Sequence, residues 1–275
     1  MRATIHRRAS GPIMPADTAM TTVILSIQRH TAWIRFLLLS MPLCAAMSIS
    51  SNASAGPLTL YYESRAPFMI VQNGELTGSE GLPAAAAFKA AGIDFTLSEA
   101  PVVRQVALVG SNQEPACAVG LYWTAERANS GKYTLPIFRS LPQDIVMRDD
   151  NPKMQPINTM AALLAEPSLK LVLRNGYSYG ATVDAMLQGA NASILRPSED
   201  SHGRIKLVLA GMADATLFTP EEADYQIKQF GAEGKALVVR HFSDSPMAEP
   251  RHLYCSKSVD DAIIRKLNDV LSKRL

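Results

Sequence analysis

Strand and helix signals alternate along most of the chain. Short apolar runs typical of strands occur at 58–62 (LTLYY) and 116–121, and the first is followed by an alanine-rich helical segment at 82–91 that ends at Gly92. Such alternation favours parallel sheets, because parallel strands need a long crossover connection that usually contains a helix. The predicted fold class is therefore α/β.

The alternating segments form two blocks. The polar, proline-containing segment DDNPKMQP at 149–156 separates them, and a strand at 237–240 leads back towards the first block. We predict a first lobe at 56–148 plus 241–275, a second lobe at 149–240, and a ligand cleft between these two mostly parallel, helix-flanked sheets.

The first 55 residues have the composition of an export signal. Five arginines and one acidic residue, Asp17, precede the apolar run FLLLSMPLCAAM, and Ala53-Ser54-Ala55 has the small residues of a cleavage site. The apolar run is shorter than the roughly 20 residues that span a bilayer. We expect a signal peptide at 1–55, cleavage after Ala55, a periplasmic protein and no stable membrane insertion.

Charge and histidine content exclude several classes of function. The chain has 27 basic and 25 acidic residues, but beyond residue 55 it has 22 and 24, so the basic excess belongs to the leader. No basic cluster remains there to suggest nucleic-acid binding. His202, His241 and His252 lack the spacing of metal ligands. We predict no metal and no cofactor, and we expect a monomer.

Two cysteines, Cys117 and Cys255, lie beyond the leader. An even pair in an oxidising compartment favours a disulfide. Two buried thiols that never meet are the alternative.

Several short motifs occur in an order that resembles one family. APF at 66–68 is followed by NGELTG, WTAER at 123–127 by YTLPIF, and LVLRNGYSYG stands at 171–180. Together they resemble the periplasmic solute-binding proteins of ABC transporters of the polar-amino-acid type, bacterial extracellular solute-binding protein family 3. The resemblance covers most of the chain after the leader. It implies the two-lobed type II fold, a small-molecule ligand, and an ABC permease or a membrane sensor as partner.

The resemblance also implies where the ligand binds. Arg127 would hold a ligand carboxylate, since a guanidinium offers two parallel charge-assisted hydrogen bonds. A surface ion pair of Arg127 with Glu126 is the alternative. Ser178 and Tyr179 match the ligand-facing loop of the second lobe, before a helix whose free N–H groups favour anions; a plain glycine turn is the alternative. The full set of expected ligand contacts is Tyr62, Arg65, Tyr122, Thr124, Arg127, Ser178, Tyr179 and Thr219.

The sequence departs from the family pattern at three of these positions. Tyr122 stands where the family has a small or hydroxyl-bearing residue. Arg65 stands where the family has an aromatic residue, and Thr219 stands where it has the carboxylate that binds an ammonium group. We expect Glu221 and Glu222 to lie on a solvated helix face. We also expect the cationic side chains of Arg65 and Arg127 to lack a matched acidic partner. These departures predict a small anionic or carboxylate-bearing solute, an amino acid or a related organic acid.

GYSYG at 176–180 also matches the Gly-x-Ser-x-Gly nucleophile elbow. Ser178 would be the nucleophile of a serine esterase, with Asp214 or Asp244 and His241 or His252 completing the triad. A short motif of this kind recurs on unrelated folds.

A second enzymatic interpretation keeps the two-lobed fold. Exported dehydratases share it, and Glu63, Glu221 or Glu222 would then act as general acid or base. Nothing in the sequence demands this chemistry, and we predict a binding protein without catalytic residues.

Overall fold

The computed structural model describes residues 57–273, so the predicted signal peptide and its cleavage site lie outside the described residues. The strands are β1 Leu58–Tyr62, β2 Ile70–Gln72, β3 Glu75–Thr77, β4 Phe95–Glu99, β5 Ala116–Tyr122, β6 Gly131–Arg139, β7 Asp144–Arg148, β8 Lys170–Val172, β9 Ser193–Leu195, β10 Ala215–Phe218, β11 Leu237–Arg240 and β12 Pro250–Ser256. The helices are α1 Gly78–Ala90, α2 Val102–Gly110, α3 Ala125–Ser130, α4 Met160–Ala165, α5 Ala181–Gln188, α6 Ser201–Leu209, α7 Pro220–Gln229 and α8 Asp261–Leu271, with a 3-10 turn at Glu233–Ala236.

The first sheet has the strand order β4-β1-β5-β12-β6. β1 runs parallel to β4 and β5, whereas β12 pairs antiparallel with β5 and β6. Every residue of β5, ACAVGLY, is buried, as expected for a strand covered on both faces. This central strand ends at Tyr122, directly before the segment that contains Arg127.

The second sheet has the order β11-β7-β10-β8-β9. β8 is parallel to β9 and β10, and β7 pairs antiparallel with β10 and β11. The assignment of residues up to 148 to the first lobe is therefore wrong, because β7 belongs to the second sheet. An apolar strand such as DIVMR carries no local signal for the sheet it joins. The segment at 149–156 follows β7 within the second half of the molecule, and the crossing between sheets lies between β6 and β7.

The predicted hairpin forms at β2 and β3. Asn73 and Gly74 both have positive φ, 53° and 78°, as the tight Asn-Gly turns of hairpins require. The hairpin precedes α1, which carries the buried residue Glu80.

Cys117 and Cys255 are directly opposite each other on β5 and β12, and the structure joins them in a disulfide. Both residues are buried, and the bond fastens the returning strand β12 beside β5. The expected disulfide is therefore present, and the alternative of two separate thiols is wrong.

Across residues 57–273, no helix combines the length and the apolar character needed to cross a membrane.

Candidate functional site

A small cavity lies at the carboxyl end of β5, where the loop after β8 reaches the first sheet. Its volume is about 20 Å³, little more than one water molecule needs. Its polar lining consists of Arg65, Tyr122, Arg127, Tyr177, Ser178 and Arg251. The cavity thus brings together four of the expected ligand contacts and adds Tyr177 and Arg251, which sequence reasoning missed.

Arg127 is held in place by the start of α3. The Thr124 hydroxyl accepts a hydrogen bond from the Arg127 amide at 3.2 Å, so Thr124 caps the helix. One guanidinium nitrogen of Arg127 donates to the Tyr122 carbonyl at 3.1 Å. Within the described residues no carboxylate lies at ion-pair distance from Arg127, and the expected alternative of a pair with Glu126 does not form.

Arg65 is buried among carboxylates. Its guanidinium lies 3.2 Å from the Glu80 carboxylate and 3.9 Å from that of Glu222. Burial opposes the charge of Arg65, but Glu222 and Glu80 outweigh this effect and raise its pKa. The expectation that Arg65 lacks an acidic partner is therefore wrong. Glu80 on α1 and Glu222 on α7 are distant from Arg65 in sequence, and only the fold brings them close to it.

Glu222 is buried, with 4% of its surface exposed. Its carboxylate accepts a hydrogen bond from the Ser201 hydroxyl at 2.6 Å. The expected solvated position of Glu222 is wrong, because the first turn of α7 turns this side chain towards α6 and Arg65.

A second set of contacts joins residues that follow β8 of the second sheet to Glu63, which follows β1 of the first sheet. Arg174, which follows β8, donates to the Glu63 carboxylate at 2.5 Å, and the Tyr177 hydroxyl donates to the same carboxylate. Arg174 also donates to the Tyr177 hydroxyl at 3.0 Å. Burial raises the pKa of Tyr177, although Arg65 acts against this, so the phenol keeps the proton that it donates. Tyr177 thereby closes the cavity from the side of the second sheet.

Four expected contacts do not line the cavity. Tyr62 is buried in the core of the first sheet, and Thr124 caps α3. Tyr179 is buried in the core of the second sheet, where its hydroxyl accepts a hydrogen bond from the Arg174 amide at 3.0 Å. Thr219 stands at the start of α7 with a buried hydroxyl that has no protein partner.

The residues of the esterase hypothesis are not assembled. Ser178 donates to Asp184 at 2.5 Å and accepts from the Gly180 amide. His241 contacts Asp144 at 2.7 Å, and His252 contacts a backbone carbonyl of β6 at 2.8 Å. Neither histidine contacts Ser178, so the general base that a triad requires is missing from this serine.

The acidic residues of the triad hypothesis have structural partners. Asp214 accepts from the Lys170 amide at 2.8 Å, and Asp244 accepts from the Met160 amide at 2.7 Å. Glu221 lies in the first turn of α7, and one of its carboxylate oxygens is buried without a protein partner.

Comparison with known proteins identifies the fold. No family model matches the chain, and no curated protein matches it. Among solved structures it is similar to ArtJ, the arginine-, lysine-, histidine-binding protein of Geobacillus stearothermophilus, with 19% identity, a TM-score of 0.62, and coverage of 79% of this chain and 88% of that one. A second similar structure was described for glutathione import via GshT and the cystine ABC importer TcyBC of Streptococcus mutans. It shares 20% identity with a TM-score of 0.62, over 79% of this chain and 88% of that one.

A third similar structure is the ancestral amino acid-binding protein AncCDT-1, described as a precursor of cyclohexadienyl dehydratase. It shares 21% identity with a TM-score of 0.59, over 79% of this chain and 89% of that one. The described residues therefore have the two-lobed fold of the amino-acid-binding proteins of ABC transporters, which confirms the fold that the motifs implied.

Proposed function

We propose that the protein is an exported solute-binding protein, which captures a small carboxylate-bearing solute between its lobes and presents it to an ABC importer or a membrane sensor. One lobe is built on the first sheet and the other on the second. The signal peptide at 1–55 delivers the chain to the periplasm. Similar solved structures of an ancestral arginine-binding protein contain arginine or glutamine, which supports a small solute of this kind.

The observation that carries the proposal is the state of Arg127. Its guanidinium faces the cavity, and the Tyr122 carbonyl fixes one of its nitrogens. No carboxylate among residues 57–273 compensates its charge, whereas Arg65 has Glu80 and Glu222. A ligand carboxylate would supply the missing partner through a bidentate contact.

Titration calorimetry on the secreted protein tests this proposal, after a thermal-shift screen of small carboxylic acids and amino acids. Arg127→Met should weaken binding of the best ligand on the order of a hundredfold, because the charged hydrogen-bonded pair between Arg127 and the ligand carboxylate is lost. Arg148→Met is the control, since Arg148 pairs with the exposed Asp150 on the second sheet. A best ligand without a carboxylate, or one indifferent to Arg127→Met, would overturn the proposal.

We further propose that the protein binds its solute without converting it. The lack of a histidine at Ser178 supports this for ester hydrolysis. A serine-reactive phosphonate should therefore leave Ser178 unlabelled. Mass spectrometry should recover the bound ligand unchanged after prolonged incubation; stoichiometric labelling or a converted ligand would contradict binding alone.

A further inference from the structure

Two residues that line the cavity carry buried polar atoms without a hydrogen-bond partner in the described part of the chain. These atoms are Arg65 Nε and the Tyr122 hydroxyl. Tyr122 is 2% exposed. Leaving such groups unpaired in a buried position is unfavourable, so their concentration around one cavity indicates a binding role.

Arg251 is fixed tightly against Tyr122. The two residues are opposite each other on β12 and β5, and the guanidinium lies 4.2 Å from the centre of the Tyr122 ring. Its Nη1 donates to the Gly120 carbonyl at 3.0 Å. Its Nε is 3.0 Å from the Glu80 carboxylate, so the ion pair with Glu80 occupies this nitrogen. Arg251 is therefore held in position against the Tyr122 ring.

The charges around these donors are already balanced. The guanidinium groups of Arg65 and Arg251 face the carboxylates of Glu80 and Glu222, all at 3.9 Å or less from a partner. A carboxylate added here would be a third negative charge beside two buried ones, which is unfavourable in a poorly solvated site. A neutral oxygen acceptor can use the free donors without this penalty.

We infer that the Tyr122 hydroxyl and Arg65 form a second subsite, with Arg251 holding the Tyr122 ring, and that this subsite binds a neutral oxygen acceptor of the ligand, an amide or a hydroxyl group. This inference rests on the proposed function, in which Arg127 holds the ligand carboxylate. Both subsites line the same cavity. The ligand class is thus a monocarboxylate with a neutral polar group at its other end.

Matched pairs of probes test the inference by calorimetry. Succinamate and succinate, glutaramate and glutarate, and glutamine and glutamate differ only in an amide against a carboxylate. In the pair of suitable length, we expect the amide to bind at least tenfold more tightly than the dicarboxylate. Butyrate and pentanoate, which lack the amide group, should also bind more weakly than the amide. A preference for the dicarboxylate would overturn the subsite.

Tyr122→Phe is the decisive variant, because the hydroxyl that it removes has no hydrogen-bond partner among the described residues. It should reduce the preference for the amide over the unsubstituted acid by fivefold or more. Tyr61→Phe is the matched control, since Tyr61 donates to Glu114 and does not line the cavity. An amide preference equal in the wild type and Tyr122→Phe would refute the inference.

The two proposals fail differently. If all carboxylic acids bind regardless of Arg127→Met, the proposed function fails. If Arg127→Met abolishes binding but the amide has no advantage, only the second subsite fails.

Discussion

Glu63 and Arg174 form an ion pair between residues that follow the two sheets, with the Glu63 carboxylate 2.5 Å from the Arg174 guanidinium. Glu63 follows β1 of the first sheet and Arg174 follows β8 of the second. The cavity beside them has a volume of about 20 Å³, which is too small for an organic acid. Under the proposed function the cavity must widen to admit the ligand, and we expect this contact and that of Tyr177 with Glu63 to open when it does.

Glu63→Gln should loosen this closure. The substitution removes one charge from a hydrogen-bonded pair worth about 1–3 kcal/mol. Small-angle scattering should show a larger radius of gyration without ligand. The apparent affinity for the best carboxylate should rise by up to about tenfold, since less free energy is spent on opening. A variant with unchanged scattering and affinity would show that the pair does not control opening.

Glu80 is expected to stabilise the fold. It is fully buried and lies within 3.2 Å of both Arg65 and Arg251. Glu80→Gln leaves two buried guanidinium groups short of a counter-charge, so we expect a loss of about 3–5 kcal/mol in the free energy of unfolding. Urea denaturation measures this loss.

Glu75→Gln provides the matched control for Glu80→Gln. Glu75 pairs with Lys89, and both side chains are largely exposed, at 74% and 82%. The cost should stay below about 1 kcal/mol. Similar costs for the two substitutions would contradict a buried role for Glu80.

A local signal, the apolar run at 116–121, predicted β5. The place of Arg127 was predicted only from the order of motifs that resembles a family, and the cap of α3 by Thr124 was not predicted. The hairpin turn at Asn73 and Gly74 was predictable from a local signal, because its positive φ angles depend on those two residues.

The partners of Arg65 could not be predicted. Glu80 lies on α1 and Glu222 on α7, and only the packing of these helices brings both carboxylates to one guanidinium. Tyr177 was interpreted as part of a turn, and no local pattern indicates that it reaches Glu63. Burial of a charge is a tertiary property, so sequence periodicity gives no signal for it.

The disulfide should contribute strongly to stability. Cys117 and Cys255 are 138 residues apart in sequence, and closing so long a loop is worth about 4–5 kcal/mol in the chain-entropy model. The double variant Cys117→Ala, Cys255→Ala should lose a comparable free energy of unfolding in urea. Mass spectrometry of the wild type, purified without reductant, should find no free thiol at either position; two free thiols would contradict the bond.

His252 should make stability depend on pH. Burial lowers its pKa below the ordinary 6.5, and a hydrogen bond with the Thr134 carbonyl only partly offsets this. The unfolded chain then binds the proton more readily, so this contribution is complete above pH 6.5 and is lost as the pH falls towards the folded-state pKa. Urea midpoints between pH 7.5 and 5.5 should fall, and His252→Asn should flatten the slope. An unchanged slope would exclude His252 as its source.

Gly176 should be required for two separable reasons. Its φ is +71°, and a Cβ there would lie 2.2 Å from Val103 Cγ2 on α2. Gly92 has a similar φ of +65° but nothing within 4 Å of an added Cβ, so Gly92→Ala isolates the backbone cost of about 1–2 kcal/mol.

Gly176→Ala should therefore cost slightly more than Gly92→Ala, because Val103 must move aside, and this residue is 54% exposed and has room to do so. Because the clash is with Val103, adding Val103→Ala should remove most of this excess. Free energies of unfolding for the single and double variants, measured in urea, form a double-mutant cycle. Gly176 follows β8 of the second sheet and Val103 lies on α2, so an excess cost that Val103→Ala leaves unchanged would show that this contact is not its source.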